Sequence, residues 1–414
     1  MDLKEYLKRS VSPFHTVSTC KERLLEEGFR ELKIGRRDAD HSDGSFVIEP
    51  YPSVLFAVRY CEEGKDKAHI GTAHTDFPNF KLKPNCEFDS QGYAMINTEP
   101  YGGLLKRTWF DRPLGIAGKV IIKGEDEYEP KEILYRSEEP YLIIPGLAPH
   151  MDREIENKPI DVQQEMCPVY SMEEGASILE RIALYLGIKK EDILDYDLYL
   201  FNNDEPQYIG LKGEFISSPR IDNVSSCAAL TEGLIESSVS DAKINLICLF
   251  DNEEIGSRSK QGADSELMLM VLRYLHDIFG IEKDLDAFLL DSFMVSVDGA
   301  HALHPSYRNK ADTTSVVYLG KGFVLKNSAT QRYVTDAKAS AIVKAICEKN
   351  DIPVQQQANR SGAPGGQTLG PIASSYVPAM ACDIGVPLLS MHSARELAHR
   401  DDYDSLKAFL SSIL

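Results

Sequence analysis

The segment INLICLFDNEEIGS (residues 244–257) joins an apolar run to an acidic turn. A short apolar run bounded by polar residues is typical of a buried strand. Three carboxylates follow it, those of Asp251, Glu253 and Glu254. Placing such a cluster beside a core costs free energy unless a positive charge lies next to it. Ligands of open α/β sheets lie beyond the carboxyl ends of the strands. Because Glu253 and Glu254 are adjacent and point in different directions, one can hold a metal ion while the other handles a proton. The alternative interpretation is an acidic loop in solvent.

Four other segments place ligand-type side chains at the ends of predicted elements. These side chains are His74 and Asp76 after a strand near 67–73, Asp222 at a helix start, Asp298 after a strand at 293–297, and His392 after a strand near 388–390. Each has an ordinary alternative: a hydrogen-bonded histidine, a helix N-cap or a turn before glycine. Together, histidines and carboxylates without a thiolate favour a two-metal hydrolase site holding Zn²⁺, Mn²⁺ or Co²⁺.

Composition excludes several classes of partner. The 414 residues carry a formal net charge of −19, which argues against nucleic acid and anionic membranes. The sequence contains no apolar run of membrane-spanning length and no apolar signal core at its start, so we expect a cytoplasmic protein. Its eight cysteines form no C-x-x-C pair, which is typical of free thiols in a reducing compartment.

The pattern of elements changes twice along the chain. Residues 1–83 and 212–414 alternate between helix-like and strand-like segments, which predicts an α/β catalytic domain in two parts. Residues 84–211 contain many short β-like pieces, including 108–110, and one helical pattern at 172–186. Such a run inside an α/β chain predicts an inserted β-rich domain.

Seven blocks of the chain resemble the M18 family of metallo-aminopeptidases, which includes aspartyl aminopeptidase and aminopeptidase I. In order, they are SPFH (12–15), AHTD (73–76), TWFDR (108–112), RIDN (220–223), DNEEIGS (251–257), DGAHALHP (298–305) and MHSARE (391–396). The resemblance implies a zinc-peptidase-like three-layer α/β/α catalytic domain, interrupted by a β-rich dimerisation domain. It also implies a homo-oligomer, typically a dodecamer.

The resemblance assigns a role to each ligand-type residue. Asp222 resembles the carboxylate that bridges two metal ions, zinc being the first expectation and manganese or cobalt the alternatives. His74 and Asp298 would complete one metal site, and Glu254 and His392 the other. Glu253 matches the general base, and Asp76 looks like the carboxylate that fixes the ligand imidazole.

Further residues are carried over from the same resemblance. His150 matches a family histidine of the inserted domain that reaches a neighbouring subunit's site, although a surface histidine fits equally well. Gly365 and Gly366 belong to a loop that lies beside the substrate in the family, where glycine allows close backbone approach. His301 and His304 are interpreted as structural, since the ligand of their block is Asp298.

The chain departs from the aspartyl pattern at one informative position. Thr330 stands where, as aligned, a lysine pairs with an acidic substrate side chain, and Lys326 is the nearby cation that could replace it. A neutral or an acidic N-terminal residue is therefore expected.

The predicted function is a dinuclear aminopeptidase that acts on unblocked peptides. Two alternatives are a metal-dependent carboxypeptidase or N-deacylase of related fold, and a catalytically silent, shell-forming assembly protein. The intact ligand set argues against the silent protein.

Overall fold

The computed structural model describes residues 1–35, 44–237, 241–363 and 365–414. The chain forms two compact units. The first contains Met1–Asp76, Pro206–Met391 and Glu396–Leu414, and the second contains Phe77–Glu205 and His392–Arg395. The long segment of the second unit starts a few residues earlier than the predicted 84–211 insert, and it also ends a few residues earlier. Its first strand already starts at Asn79.

The described helices are α1 (Leu3–Arg9), α2 (Pro13–Glu26), α3 (Val162–Glu165), α4 (Ile178–Leu186), α5 (Ile221–Glu236), α6 (Leu267–Ile278), α7 (Leu285–Leu290), α8 (Ala337–Lys349), α9 (Leu369–Tyr376) and α10 (Arg400–Ile413). The described strands are β1 (Arg30–Glu31), β2 (Ser45–Tyr51), β3 (Val54–Tyr60), β4 (Lys65–His74), β5 (Asn79–Ser90), β6 (Tyr93–Tyr101), β7 (Leu114–Ile122), β8 (Lys131–Arg136), β9 (Val169–Ser171), β10 (Ile193–Asn202), β11 (Gln207–Ile209), β12 (Phe215–Ser218), β13 (Ala242–Phe250), β14 (Phe293–Val297), β15 (Ala300–His301), β16 (Phe323–Asn327), β17 (Val354–Ala358), β18 (Met380–Gly385), β19 (Pro387–Leu389) and β20 (Glu396–His399).

A nine-stranded sheet organises the first unit, in the order β1-β2-β3-β13-β4-β14-β18-β16-β17. Its central strands β13, β4, β14 and β18 run parallel, so their carboxyl ends meet at one edge. The apolar run at the centre is β13, which is buried along nearly its whole length because strands pair with both of its edges and helices pack on both faces of the sheet. The predicted α/β class is confirmed.

Helices cover both faces of this sheet. Ile70 of β4 shares a buried cluster with Leu272 of α6 and Phe288 of α7. Its neighbour Gly71 faces the opposite side, where a Cβ atom would lie 2.3 Å from Leu230 Cδ2 of α5. Glycine at position 71 therefore allows α5 to pack directly on the sheet. A smaller five-stranded sheet, β11-β12-β20-β19-β15, completes the unit.

The second unit is built on a six-stranded sheet in the order β8-β7-β10-β5-β6-β9. Its strand pairs are antiparallel, and its core includes Phe80, Ile116 and Leu198, with Ile182 of α4 packed among them. The unit is thus rich in β structure. No helix in the described part of the chain is long and apolar enough to cross a bilayer.

One local prediction for this unit was wrong, and one helix starts later than predicted. Residues Lys106–Trp109 form a 3₁₀ turn rather than a strand, because the Thr108 N–H and hydroxyl both donate to the Leu105 carbonyl. The helix predicted over 172–186 begins only at Ile178, since the Ser177 side chain accepts from the Glu180 N–H and caps it there.

Candidate metal centre

The parallel strands bring the acidic turn and His74 together. Phe250, the last residue of β13, is in register with His74, the last residue of β4. The Thr75 N–H then donates to the Phe250 carbonyl at 2.7 Å, so the two chains leave the sheet side by side. Asp298 follows the end of β14, which pairs with the other side of β4. Three of the predicted ligand segments therefore meet at one edge.

Asp76 orients both the acidic turn and His74. Its Oδ1 accepts from the Glu253 N–H at 3.2 Å and its Oδ2 accepts from the Glu254 N–H at 3.1 Å. His74 Nδ1 lies 3.0 Å from the Asp76 carbonyl oxygen and 3.3 Å from Asp76 Oδ1. A carboxylate behind an imidazole fixes the tautomer and leaves Nε2 facing the site. Asp76 is fully buried and thus helps to position three residues, His74, Glu253 and Glu254.

The converging side chains form a compact donor cluster. One ligand atom from each of His74, Asp222 and Glu254 lies within 4.8 Å of the other two. His74 Nε2 is also 3.4 Å from Asp298 Oδ1 and 4.0 Å from Glu253 Oε2. Imidazole nitrogen and carboxylate oxygen, without thiolate, are the ligands that catalytic zinc and similar divalent ions take. The donor set therefore fits such an ion.

Asp222 lies at the start of α5 and is 3% exposed. Its φ of −82° and ψ of 108° are not helical, so the regular helix begins only after it. Its backbone N–H donates to Glu396 Oε2 at 3.0 Å. Asn223, joined to it by a cis peptide bond, donates through Nδ2 to the Val297 carbonyl at 3.0 Å. These bonds hold the Asp222 carboxylate between the ends of β4 and β14.

The charges of the cluster are strongly coupled. Burial raises the pKa of Glu253 to about 8; Asp298, Asp76 and Asp222 act in the same direction, and His74 opposes them. Burial alone would lower the pKa of His74, but hydrogen bonds with Asp298 and Asp76 outweigh it and hold that pKa well above its usual value. Several negative groups thus share a space in which a divalent cation favours their ionised forms.

Lys326 is buried next to this cluster. It is 2% exposed on β16, and its Nζ donates to the Gly299 carbonyl at 2.6 Å and lies 3.7 Å from Asp298 Oδ2. Burial raises the pKa of Asp298, but Lys326 and His74 outweigh it, so that the pKa falls below its usual value. The ammonium that could replace the missing lysine therefore lies beside the Asp298 carboxylate. Thr330 is exposed in the following loop, its hydroxyl 3.2 Å from that of Ser328.

The remaining predicted residues lie in other surroundings. His392 belongs to the second unit, where its Nδ1 lies 2.9 Å from the Gly103 carbonyl oxygen. His150 is exposed in a turn of the same unit. Gly365 has a φ of 60°, and a Cβ atom there would lie 2.6 Å from Asn359 Nδ2, so its loop needs glycine, whereas Gly366 has open space around it.

Two contributors to the cluster were missed in the sequence. Glu396, 3% exposed at the start of β20, supports Asp222, although the block MHSARE contained it. Cys227 of α5 donates through Sγ to the His74 carbonyl at 3.0 Å. Neither has a local signal, because each acts through a partner more than 150 residues away.

Gly385 offers a stability test of the cluster's frame. A Cβ atom at this position would lie 1.6 Å from the Asp298 carbonyl oxygen. Gly385→Ala is therefore expected to lower the free energy of unfolding by about 1–3 kcal/mol and to reduce metal content, because the backbone of Asp298 must shift. Denaturant unfolding and elemental analysis measure both effects. Gly366→Ala is the matched control, with no expected loss of stability; equal stability of the two variants would contradict the argument.

Comparison with known proteins identifies the family. The model of the M18 family, described as aminopeptidase I zinc metalloprotease, matches residues 6–413. The chain belongs to this family. A relative from Clostridium novyi, named probable M18 family aminopeptidase 2, is 40% identical over 99% of this chain and 96% of its own length.

Solved structures agree with this membership. The crystal structure of prApe1 has a TM-score of 0.92 at 26% identity and covers 99% of this chain and 93% of its own. The mApe1 dodecamer of Saccharomyces cerevisiae shares the fold, with a TM-score of 0.85 at 24% identity over 99% of this chain and 94% of its own. The predicted family and fold are confirmed. As a member of the M18 family, this chain is a metal-dependent aminopeptidase, which is a hydrolase.

Proposed function

We propose that this M18 enzyme uses two divalent metal ions to remove a neutral or acidic N-terminal residue from unblocked peptides. The observation that carries the proposal is the convergence of His74, Asp222 and Glu254 within 4.8 Å, with Asp298 3.4 Å from His74. Asp222 would be the shared ligand, His74 and Asp298 would hold one ion, and Glu254 and His392 would hold the other. Zinc is the first candidate, with manganese and cobalt as alternatives.

The chain's own residues provide orientation and proton transfer. Bound divalent ions would polarise the scissile carbonyl and lower the pKa of water at the site. Glu253 is the general base that takes a proton from the attacking water and returns it to the leaving amine. Asp76 holds the Glu253 N–H and the His74 ring, so the base and a ligand keep fixed relative positions. His150 is proposed as an additional contact to the oxyanion in a neighbouring copy.

Preference for the N-terminal residue depends on the loops that follow β16 and β17. Because Lys326 is buried against Asp298, it does not offer a free ammonium to an acidic side chain. Thr330 supplies a hydroxyl, which suits a neutral residue, and Gly365 and Gly366 allow the peptide backbone to approach. We therefore favour neutral residues at a pocket formed by Thr330.

The second unit is proposed to form the contacts of a homo-oligomer, a dodecamer as in mApe1. Several of its apolar side chains are exposed, namely Leu105, Ile143, Leu147 and Met151. Exposed apolar side chains are typical of protein–protein contact where they form one patch, and His150 lies between Leu147 and Met151 in the sequence. All eight cysteines are free, which fits a reducing compartment such as the cytoplasm.

The proposed activity predicts a sharp dependence on metal and on a free amine. Unblocked peptides are expected to lose their first residue, a chelator is expected to abolish this release, and added Zn²⁺, Mn²⁺ or Co²⁺ to restore it. N-acetylated copies of the same peptides are expected to remain intact. Mass spectrometry of the digests measures both results, and a panel of Asp, Glu, Leu, Lys and Met aminoacyl-nitroanilides ranks the first residue. Equal cleavage of blocked peptides would overturn the aminopeptidase assignment.

A further inference from the structure

Asp383 of β18 is a fully buried carboxylate on the same sheet as the metal centre. It lies directly opposite Lys326 in the antiparallel pair of β18 and β16, so both side chains project from the same face of the sheet. It is also in register with Ser296 of β14, two residues before Asp298. Because a strand rises about 3.3 Å per residue, Asp383 lies at a level of the sheet roughly 7 Å before that of Asp298.

The two oxygens of this carboxylate bind two different loops. Asp383 Oδ2 accepts from the Val334 N–H at 2.6 Å, in the first loop, residues 328–335, which follows β16. Its Oδ1 accepts from the Thr368 hydroxyl at 2.7 Å, in the second loop, residues 365–368, which precedes α9. One buried side chain therefore connects both loops.

Further contacts enclose the carboxylate between the two loops. The Asp383 N–H donates to Thr335 Oγ1 at 2.9 Å. The Thr368 N–H lies 3.4 Å from the Arg332 carbonyl oxygen and donates to it, which joins the loops directly. A Cβ atom on Gly370 would lie 2.9 Å from Asp383 Oδ1, so glycine there allows α9 to begin against the carboxylate.

The first loop also reaches the lysine beside the metal centre. The Tyr333 ring, which precedes Val334, is 4% exposed, and its centroid lies 5.4 Å from Lys326 Nζ. The same Nζ lies 3.7 Å from Asp298 Oδ2. An ammonium is attracted to the face of an aromatic ring. A shift of the loop at Val334 would therefore be felt next to the ligand cluster.

A carboxylate at this position costs free energy that an apolar residue would not. Burial raises the pKa of Asp383, and Lys326, Thr368 and Val334 act against that rise. A buried charge is tolerated only where such donors and cations surround it. The neighbours of Asp383 in β18 are Cys382 and Ile384, so the strand itself does not require a polar residue here.

We propose that Asp383 is a positioning residue for substrate preference, which fixes the two loops relative to each other and so sets the width of the pocket between them. Thr330 lies on the first loop, and Gly365 and Gly366 lie on the second. Asp383 acts through these loops and does not contact the peptide. This inference rests on the proposed aminopeptidase function and adds to it the residue that holds the pocket for the first residue in shape.

Asp383→Asn tests the connection, because an amide offers only one oxygen as acceptor and one loop must lose its bond. The KM of the preferred aminoacyl-nitroanilide is expected to rise about tenfold, as for the loss of a hydrogen bond to a charged group. We expect kcat to stay within about threefold, metal content to stay at the wild-type level, and the ranking of first residues to become narrower. Thr368→Val and Thr335→Val remove one hydroxyl each, keep the side-chain shape, and are expected to act in the same direction with smaller effects.

Asp402→Asn is the matched control. Asp402 is also fully buried in the first unit, and its two oxygens accept from the Gly320 and Gly322 N–H groups, each at 2.7 Å. This variant makes the same chemical change at a carboxylate that holds a different loop. It is expected to lower the melting temperature as Asp383→Asn does and to leave KM and the ranking of first residues unchanged.

Hydrogen exchange measured by mass spectrometry reports on the loops without turnover. Asp383→Asn and Thr368→Val are each expected to speed exchange in both loops, including the first loop, which Thr368→Val does not alter directly. Wild-type exchange rates in both loops of these variants would overturn the inference whatever the activity.

The kinetic outcomes separate this inference from the proposed function. If first residues are released and all three variants lose only thermal stability, as Asp402→Asn does, Asp383 is a structural residue and the aminopeptidase stands. Loss of metal from Asp383→Asn would likewise overturn an effect through the loops. If the wild-type protein releases no first residue, the proposed function fails, and the exchange rates alone decide whether Asp383 joins the loops.

Discussion

Glu253→Gln is expected to lower kcat by about 10²–10⁴-fold, the usual contribution of a general base, while metal content stays at the wild-type level. The amide keeps the length and shape of the side chain but cannot take a proton. Glu253 lies outside the group of three donors within 4.8 Å, which consists of His74, Asp222 and Glu254. The loss is therefore expected in turnover rather than in metal binding, and steady-state kinetics with elemental analysis measures it.

The electrostatics of the cluster explain why this carboxyl depends on the metal. Burial raises the pKa of Glu253 to about 8, and three neighbouring carboxylates act in the same direction. Above its pKa the carboxyl is ionised and below it is protonated, so without a cation the acid form persists to a higher pH than for an exposed glutamate. A divalent cation in the cluster favours the ionised form, which is the form that accepts a proton.

Glu254→Gln is the matched control, because it makes the same chemical change one residue later. Its carboxylate belongs to the donor cluster, so this variant is expected to lose metal as well as turnover. Full activity in Glu253→Gln would exclude the proposed base. Equal metal loss in the two variants would show that both glutamates are ligands and that the proton acceptor is another group.

The strand ends were predictable because their signals are local. The apolar run of β13, the polar residues after it and the Gly after Asp298 are all visible in the sequence, and the structure places them at one sheet edge. The resemblance of seven short blocks then added an order that periodicity alone does not contain. The family and the α/β class followed from these features together.

Other features depend on contacts between distant segments and have no local signal. Lys326 looked like a free cation in the sequence, but β16 pairs with β18 and turns its ammonium toward Asp298. Asp222 was expected at a helix start, but nothing in the sequence indicated that Glu396, 174 residues later, accepts its N–H. The extent of the second unit was similarly hidden, since His392–Arg395 return to it from the far end of the chain.

Asp222→Asn is expected to reduce bound metal to less than half and to lower kcat/KM by at least about 10³-fold, because the side chain proposed as the shared ligand loses its charge and one of its two oxygens. Asp222 Oδ1 lies 3.7 Å from His74 Nε2. An oxygen of the same carboxylate also lies within 4.8 Å of a carboxylate oxygen of Glu254. It is thus the carboxylate that faces both proposed sites. Asp298→Asn, which alters only one site, is expected to lose about one ion per chain. Elemental analysis of dialysed protein, followed by kinetics, gives both values.

Glu396→Gln controls for the position of Asp222 rather than for its charge. The amide oxygen can still accept the Asp222 N–H, so this variant is expected to retain metal and most activity. If the centre holds two ions, the metal content is expected to fall in the order Glu396→Gln, Asp298→Asn, Asp222→Asn. If Asp222→Asn and Asp298→Asn each lose a single ion, Asp222 is a ligand of one site only, and the shared-ligand arrangement is wrong even though the enzyme remains metal-dependent.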